Sequence, residues 1–177
     1  AGQHAVLVGW GPIAQRLAQF LKMLSLEITV VRQLSQPLSS MSPHEPRMIT
    51  FQELPEALPF TNWLILTCPL TETTRGLVNA RTLSLLPAGA GLVNVSRGEV
   101  GVEKDLIQAL QQGILGSAFL DVFEHEPLPK NSPLWDLPNV ILTPHSAGFS
   151  AGNEARVSQM FLKNLVEWSQ KFHSNSS

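Results

Sequence analysis

The chain has 177 residues, 44% of them hydrophobic and 15% charged, with a formal net charge of -2. That length fits one domain, burying about 70% of its unfolded surface in a single core. The near-neutral balance gives no electrostatic ground for a nucleic-acid or anionic-membrane partner, and no apolar run approaches the roughly 18 residues of a membrane span. The single cysteine, Cys68, excludes an internal disulfide and fits a reducing cytoplasm. No ligand spacing for zinc occurs, so no metal is expected.

Residues 5–8 form a short apolar run that stops at a glycine-rich turn, the pattern of a buried parallel strand. Over 12–24, Ile13, Leu17, Phe20, Leu21 and Leu24 recur at helical spacing, and Pro12 suits the first helical position. Residues 28–31 are β-branched and predict a second strand, while the Ser- and Pro-rich stretch 33–46 predicts a loop. A short helix is expected over 52–58, then a strand over 63–66 ending at Thr67-Cys68-Pro69. Strand 92–95 ends at Ser96-Arg97-Gly98, helix 104–112 closes at Gly113, and strand 118–120 ends at Asp121. A proline-rich loop over 126–138 leads to a last strand, 140–142, ending at Thr143-Pro144-His145. Val157, Phe161, Leu165, Trp168 and Phe172 mark an apolar stripe on a long helix, and 174–177 reads as a frayed polar tail.

Strands alternate with helices at the spacing of βαβ units, which predicts an α/β fold: a Rossmann-type, doubly wound parallel sheet with helices on both faces. One dinucleotide-binding domain is expected over 1–173. The polar and titratable residues cluster just after strand ends, where the ligand crevice of such a sheet lies.

Gly9-Trp10-Gly11-Pro12-Ile13-Ala14 is a G-x-G-x-x-A element between a strand and a helix. The first glycine permits the tight turn, the second lets backbone approach a pyrophosphate, and the small third residue allows close helix–strand packing. Helix N–H groups and the positive dipole end attract the phosphates. Pro12 removes one donor, which shifts that contact toward the Ile13 N–H. About 20 residues on, at the end of the second strand, an acid would favour NAD. This chain has Arg32 there, whose guanidinium can pair with a 2′-phosphate, so NADP(H) is expected over NAD(H). The alternative is a solvated surface arginine.

Three further segments read together: Asn94-Val95-Ser96-Arg97-Gly98, Leu120-Asp121-Val122-Phe123-Glu124-His125-Glu126-Pro127, and Thr143-Pro144-His145-Ser146-Ala147-Gly148. With the glycine loop and Pro69-Leu70-Thr71-Glu72-Thr73-Thr74, they resemble the ordered signatures of the D-isomer-specific 2-hydroxyacid dehydrogenases. The match runs from about residue 5 to residue 170. Ser132-Pro133-Leu134-Trp135 is similar to the glyoxylate/hydroxypyruvate reductase branch.

The resemblance implies roles that the chemistry of each side chain suits. Arg97 would hold the substrate carboxylate and polarise its carbonyl; the alternative is a structural salt-bridge arginine. His145 would be the acid/base, and Glu126 its carboxylate partner, favouring imidazolium. Glu124 is the rival acid. His4, His44 and His173 carry no motif, and His125, between two glutamates, is expected to face solvent. Asp121 would stand beside the nicotinamide, with Thr74, Val95 and Ser96 in the cofactor wall and Cys68 and Pro69 on the adenine or ribose side. Gly9, Gly11, Pro12, Ile13, Arg32, Arg97, His145, Ala147 and Gly148 complete the expected cofactor contacts. A nucleophilic Cys68 is not implied.

The resemblance further implies a homodimer through the cofactor domain and a second lobe built from about a hundred N-terminal residues. Because the chain opens at the cofactor strand, it is read as the cofactor-binding part, expected to bind NADP(H) with little or no turnover alone. A non-catalytic, dinucleotide-sensing module of corepressor type is the alternative function.

Overall fold

The computed structural model describes residues 2–33 and 46–174. Most of the loop expected over 33–46 therefore lies outside the described residues. The chain divides into two compact units, Ala1–His145 and Ser146–Ser177.

In the first unit the described residues form one seven-stranded parallel sheet. Its strands are β1 (His4–Val8), β2 (Glu27–Val31), β3 (Arg47–Ile49), β4 (Trp63–Leu66), β5 (Ala90–Asn94), β6 (Leu115–Leu120) and β7 (Val140–Leu142). Their order is β3-β2-β1-β4-β5-β6-β7, every pairing parallel. The helices are α1 (Pro12–Met23), α2 (Leu54–Ala57), α3 (Ala80–Leu83) and α4 (Glu103–Gln111). Three-residue to four-residue 3-10 turns occupy Leu58–Phe60, Gly98–Val100 and Pro133–Asp136.

The central strands are largely apolar because both faces are covered. In β1, Ala5 and Leu7 point into one cluster with Ala14 and Ala18 of α1, Ile28, Val30 and Ile65. Val6 and Val8 point the other way, into a larger cluster with Leu54, Leu83, Leu106 and Leu110 of α2, α3 and α4. A one-residue slip of β1 would exchange Leu7 for Val6 and Val8 across the sheet, so burial on both faces fixes the register.

The α1 stripe differs from the expectation. Ile13 is 63% exposed, Leu24 is 70% exposed and Phe20 is exposed, whereas the buried positions are Ala14 and Ala18. Leu17 and Leu21 of the expected stripe are half-buried and pack against the same cluster, so the helix meets the sheet through Ala14 and Ala18 flanked by these two leucines. Two elements were not legible in the sequence. β3 has only three residues, and α3 has four, held by a capping box in which Asn79 accepts from the Arg81 and Thr82 N–H groups.

The second unit contains α5 (Asn153–Ser174). Ser174 closes this helix, where the sequence suggested the start of a tail; 175–177 lie outside the described residues. Val157, Phe161, Leu165 and Trp168 of the expected stripe are exposed on it.

Candidate active site

The strand order reverses between β1 and β4, and that switch point opens a crevice at the carboxyl ends of the strands. Gly9 closes β1 there with φ 103°, a conformation other residues rarely adopt. A Cβ on Gly9 would also stand 2.9 Å from Cys68 Cα, so β1 and the end of β4 meet through bare backbone. Thr67 seals the junction, donating both its N–H and its hydroxyl to the Val8 carbonyl at 2.9 and 3.0 Å.

Gly11 is different. It is the N-cap of α1 in extended conformation, and a Cβ there would meet nothing within 4 Å. Pro12 occupies the first helical turn, no side chain caps the end, and no acid stands in the first turn. Ile13, 63% exposed, thus stands beside the open space at Gly11 at the positive end of the helix dipole, whereas Ala14 is fully buried. A dinucleotide pyrophosphate fits that space, where any side chain at position 11 would intrude.

Arg32 follows β2, half-buried, its N–H donating to the Ile49 carbonyl at 3.0 Å. Its guanidinium lies 3.9 Å from Met48 Sδ, and among the described residues no carboxylate forms an ion pair with it. Across the crevice, Cys68 is buried, and desolvation pushes its thiol up to about 11. This is a core thiol, not a nucleophile. Pro69 is exposed. Thr74 is buried, donating its hydroxyl to the Pro69 carbonyl at 2.7 Å and accepting the Thr71 N–H at 2.8 Å. It shapes the loop beside the crevice with a hydroxyl already engaged.

The end of β5 is organised by Asn94, to which its sequence motif assigns no role. Asn94 Oδ1 accepts the Ser96 N–H at 3.0 Å and the Ser96 hydroxyl at 2.8 Å, while its Nδ2 donates to the Arg97 carbonyl at 3.0 Å. An asparagine at a strand end followed by a polar turn is the usable signal for such a clamp. Ser96 is buried, Val95 half-buried and Arg97 exposed, its Nη1 donating to the Ser96 carbonyl at 2.6 Å. Gly98 meets Phe123 and Glu124 backbone to backbone: a Cβ would stand 1.9 Å from the Phe123 carbonyl carbon. That contact sets the Arg97 turn against the segment holding Glu126.

His145 Nδ1 lies 2.7 Å from Glu126 Oε2, the side chains 47% and 36% exposed. The other Glu126 oxygen accepts the Phe123 N–H at 3.1 Å. Partial burial raises the Glu126 carboxyl, but the His145 hydrogen bond, the Phe123 N–H and the charges of His145 and Arg97 outweigh it and hold the group below its ordinary range. Glu124 turns elsewhere. Its carboxylate accepts the Glu103 N–H at 2.8 Å at the start of α4, and its N–H donates back to Glu103. The structure therefore brings Glu126, and not the rival acid, to His145. His125 is exposed, with Nδ1 against the Glu124 carbonyl. His4 has a structural contact, Nε2 lying 2.9 Å from Thr29 Oγ1.

Asp121, at the end of β6, is buried and accepts the Thr143 hydroxyl at 2.5 Å. A cavity of about 550 Å³ opens beside the His145–Glu126 pair, walled by Phe123, Pro127, Leu128, Trp135, Leu142 and Pro144. Ala147 and Gly148 belong to the second unit. Among the described residues no cluster of three or more His, Cys, Asp and Glu is placed to hold a metal ion.

Comparison with known proteins agrees with this geometry. Residues 1–147 match the NAD binding domain of D-isomer specific 2-hydroxyacid dehydrogenases. The glyoxylate reductase of Thermococcus gammatolerans is 33% identical over 165 residues, covering 93% of this chain and 48% of that protein. A D-isomer specific 2-hydroxyacid dehydrogenase of Xanthobacter autotrophicus, solved with NADPH and MES, superposes with a TM-score of 0.76 at 36% identity, covering 84% of this chain and 46% of the other. The NADPH-dependent glyoxylate/hydroxypyruvate reductase of Sinorhizobium meliloti, solved with NADP and sulfate, gives a TM-score of 0.82 at 28% identity, with 96% of this chain and 52% of the other covered. The chain spans about half the length, or less, of the curated relatives it matches. With the glycine loop at the switch point and the strand-end residues gathered at one end of the sheet, the chain belongs to the family of D-isomer specific 2-hydroxyacid dehydrogenase NAD binding domains.

Proposed function

We propose that this chain serves hydride transfer between NADP(H) and a small 2-keto or 2-hydroxy acid of the glyoxylate or hydroxypyruvate kind. The observation that carries the reading is the 2.7 Å His145–Glu126 pair, set near Arg97 at the carboxyl end of the sheet. NADP(H), when bound, supplies or takes up the hydride at its nicotinamide ring.

The protein residues do the remaining work. Arg97 offers a planar five-donor fork that grips the acid's carboxylate and draws electron density from the reacting carbonyl. Glu126 engages Nδ1 of His145, which leaves Nε2 to give a proton to the substrate oxygen or remove one from the alcohol. The same carboxylate fixes the ring's direction through that 2.7 Å contact. The cofactor is held by the Gly9–Gly11 turn and the Ile13 N–H beside Pro12, with Cys68, Pro69 and the Thr74 loop on one wall. Val95, Ser96 and Asp121 stand on the nicotinamide side, followed by His145. Arg32 pairs with the 2′-phosphate, which favours NADP(H) while leaving NAD(H) as the weaker cofactor. NADP or NADPH in the solved relatives supports that preference. The reading also includes a cytoplasmic protein, as the single cysteine suggests, and a homodimer joined through this domain, as the family resemblance implies; sedimentation velocity tests the dimer.

NADPH oxidation with glyoxylate, hydroxypyruvate and longer 2-keto acids tests the activity, assayed on the full-length protein because this chain spans about half the length of its curated relatives. His145→Gln is expected to lower kcat about 100-fold or more. A variant that keeps the wild-type rate overturns the acid/base assignment. For the cofactor, NADPH and NADH binding are compared in wild type and Arg32→Ala. Equal loss for both, or tighter NADH binding at the outset, removes the NADP(H) preference.

A further inference from the structure

The proposed acid/base stands on backbone that side-chain-bearing residues avoid. His145 has φ 52°, in the left-handed region, and a residue held there depends on its surroundings to keep it. The restraint converges on Thr143, two residues earlier. The His145 N–H donates to the Thr143 carbonyl at 3.0 Å, and the Thr143 N–H donates to the Leu120 carbonyl at 3.0 Å. The Thr143 hydroxyl donates to Asp121 Oδ1 at 2.5 Å. Asp121 is 2% exposed, and its own N–H donates to the Asn94 carbonyl at 3.0 Å. Between Thr143 and His145 stands only Pro144, whose ring fixes φ. A continuous path of short contacts thus runs from the buried end of β6 to the imidazole.

We propose that Thr143 is a positioning residue for His145: its hydroxyl, anchored on Asp121, fixes the turn that brings His145 Nδ1 against Glu126. The proposal rests on the acid/base reading above and extends it to a residue that meets neither substrate nor cofactor in that reading. Without Oγ1, buried Asp121 loses a donor and the turn loses its side-chain anchor. Only the backbone contacts of Thr143 and His145 then restrain the turn, and the Glu126 bond loosens.

A purely structural Thr143 would affect stability without affecting the Glu126 carboxyl, and this separates the two cases. The groups facing that carboxyl are His145 from beyond β7, Arg97 from beyond β5 and the Phe123 N–H; Glu124, on the same segment, is engaged with Glu103. Carbon-13 NMR of the Glu126 carboxyl in the 177-residue chain, assigned with Glu126→Gln, follows its titration in wild type, His145→Gln, Thr143→Ser and Thr143→Val. The expected result is a wild-type midpoint retained in Thr143→Ser and raised in Thr143→Val toward that of His145→Gln. Should Thr143→Val not fold, Thr143→Ala is read in the same way. A wild-type midpoint in the hydroxyl-free variant overturns the positioning role alone. If His145→Gln also leaves the midpoint unmoved, the Glu126–His145 pair itself falls, and the acid/base reading with it.

Discussion

Gly98→Ala should be the most damaging single-methyl change near the site. A methyl built on Gly98 stands 1.9 Å from the Phe123 carbonyl carbon, 2.0 Å from its oxygen and 2.3 Å from Glu124 N. All three are backbone atoms, so no rotamer change relieves the overlap. Ordinary contact begins near 3.4 Å, so the two segments must part by about 1.5 Å in a close-packed region. Overpacking typically costs about 1–3 kcal/mol. With backbone on both sides the upper end is expected, and about 3 kcal/mol lowers Tm by roughly 6–12 °C in a chain of this size. The same displacement moves Arg97 relative to Glu126, and a misplacement of about 1 Å at a reacting centre costs about 100-fold in rate. Urea denaturation and thermal melting of wild type and Gly98→Ala measure the first effect; kcat/KM of the folded fraction measures the second. A variant within about 0.5 kcal/mol of wild type, the range of an ordinary surface change, would refute the contact.

Gly11→Ala is the matched control, since a Cβ there meets nothing within 4 Å. Its stability should stay near wild type while NADPH affinity, followed by calorimetry, falls. The Cys68 thiol, pushed up to about 11, should resist alkylation at pH 8 until the chain unfolds, with a thiolate fraction on the order of one in a thousand. Its sign is the reverse of a carboxylate's: stability linked to the protonated thiol is present below the ordinary value of 9.0 and lost as pH rises through about 11. Glu126 is held below its ordinary value of 4.5, so its contribution is present above that value and lost as pH falls through the folded midpoint. Glu126→Gln should flatten the acid limb of the stability–pH curve, modestly because the pair is substantially exposed.

The sheet was largely legible because fully buried parallel strands leave continuous apolar runs, as in residues 5–8 and 63–66. Boundaries moved by a residue or more: β5 starts at Ala90 and β6 at Leu115, ahead of the most apolar stretch of each. β3 was missed because Arg47–Ile49 follows directly on the Ser- and Pro-rich stretch 33–46, and its pairing with β2 is a long-range choice. The α1 stripe misled for another reason. Leu17 and Leu21 do face the sheet, but they flank Ala14 and Ala18, and this narrower face leaves Ile13, Phe20 and Leu24 exposed.

The candidate site divides in the same way. Gly9 and Gly11 could be singled out from the sequence by their turn between strand and helix, and Arg97, Glu126 and His145 by the motifs that resemble the family's. Glu124 and Glu126 could not be separated by sequence position alone, two residues apart; the fold sends one to Glu103 and the other to His145. Asn94 and Thr143 stood within the quoted motifs without roles, since a hydrogen bond is defined by direction and distance and not by residue type. By itself, the sequence determined the fold class, the family and the chemistry on offer, which depend on local pattern and side-chain identity. Only the tertiary structure decided which carboxylate meets the imidazole, what holds His145 at a positive φ, and why Gly98 admits no side chain. Those answers depend on contacts between segments that lie far apart in the chain.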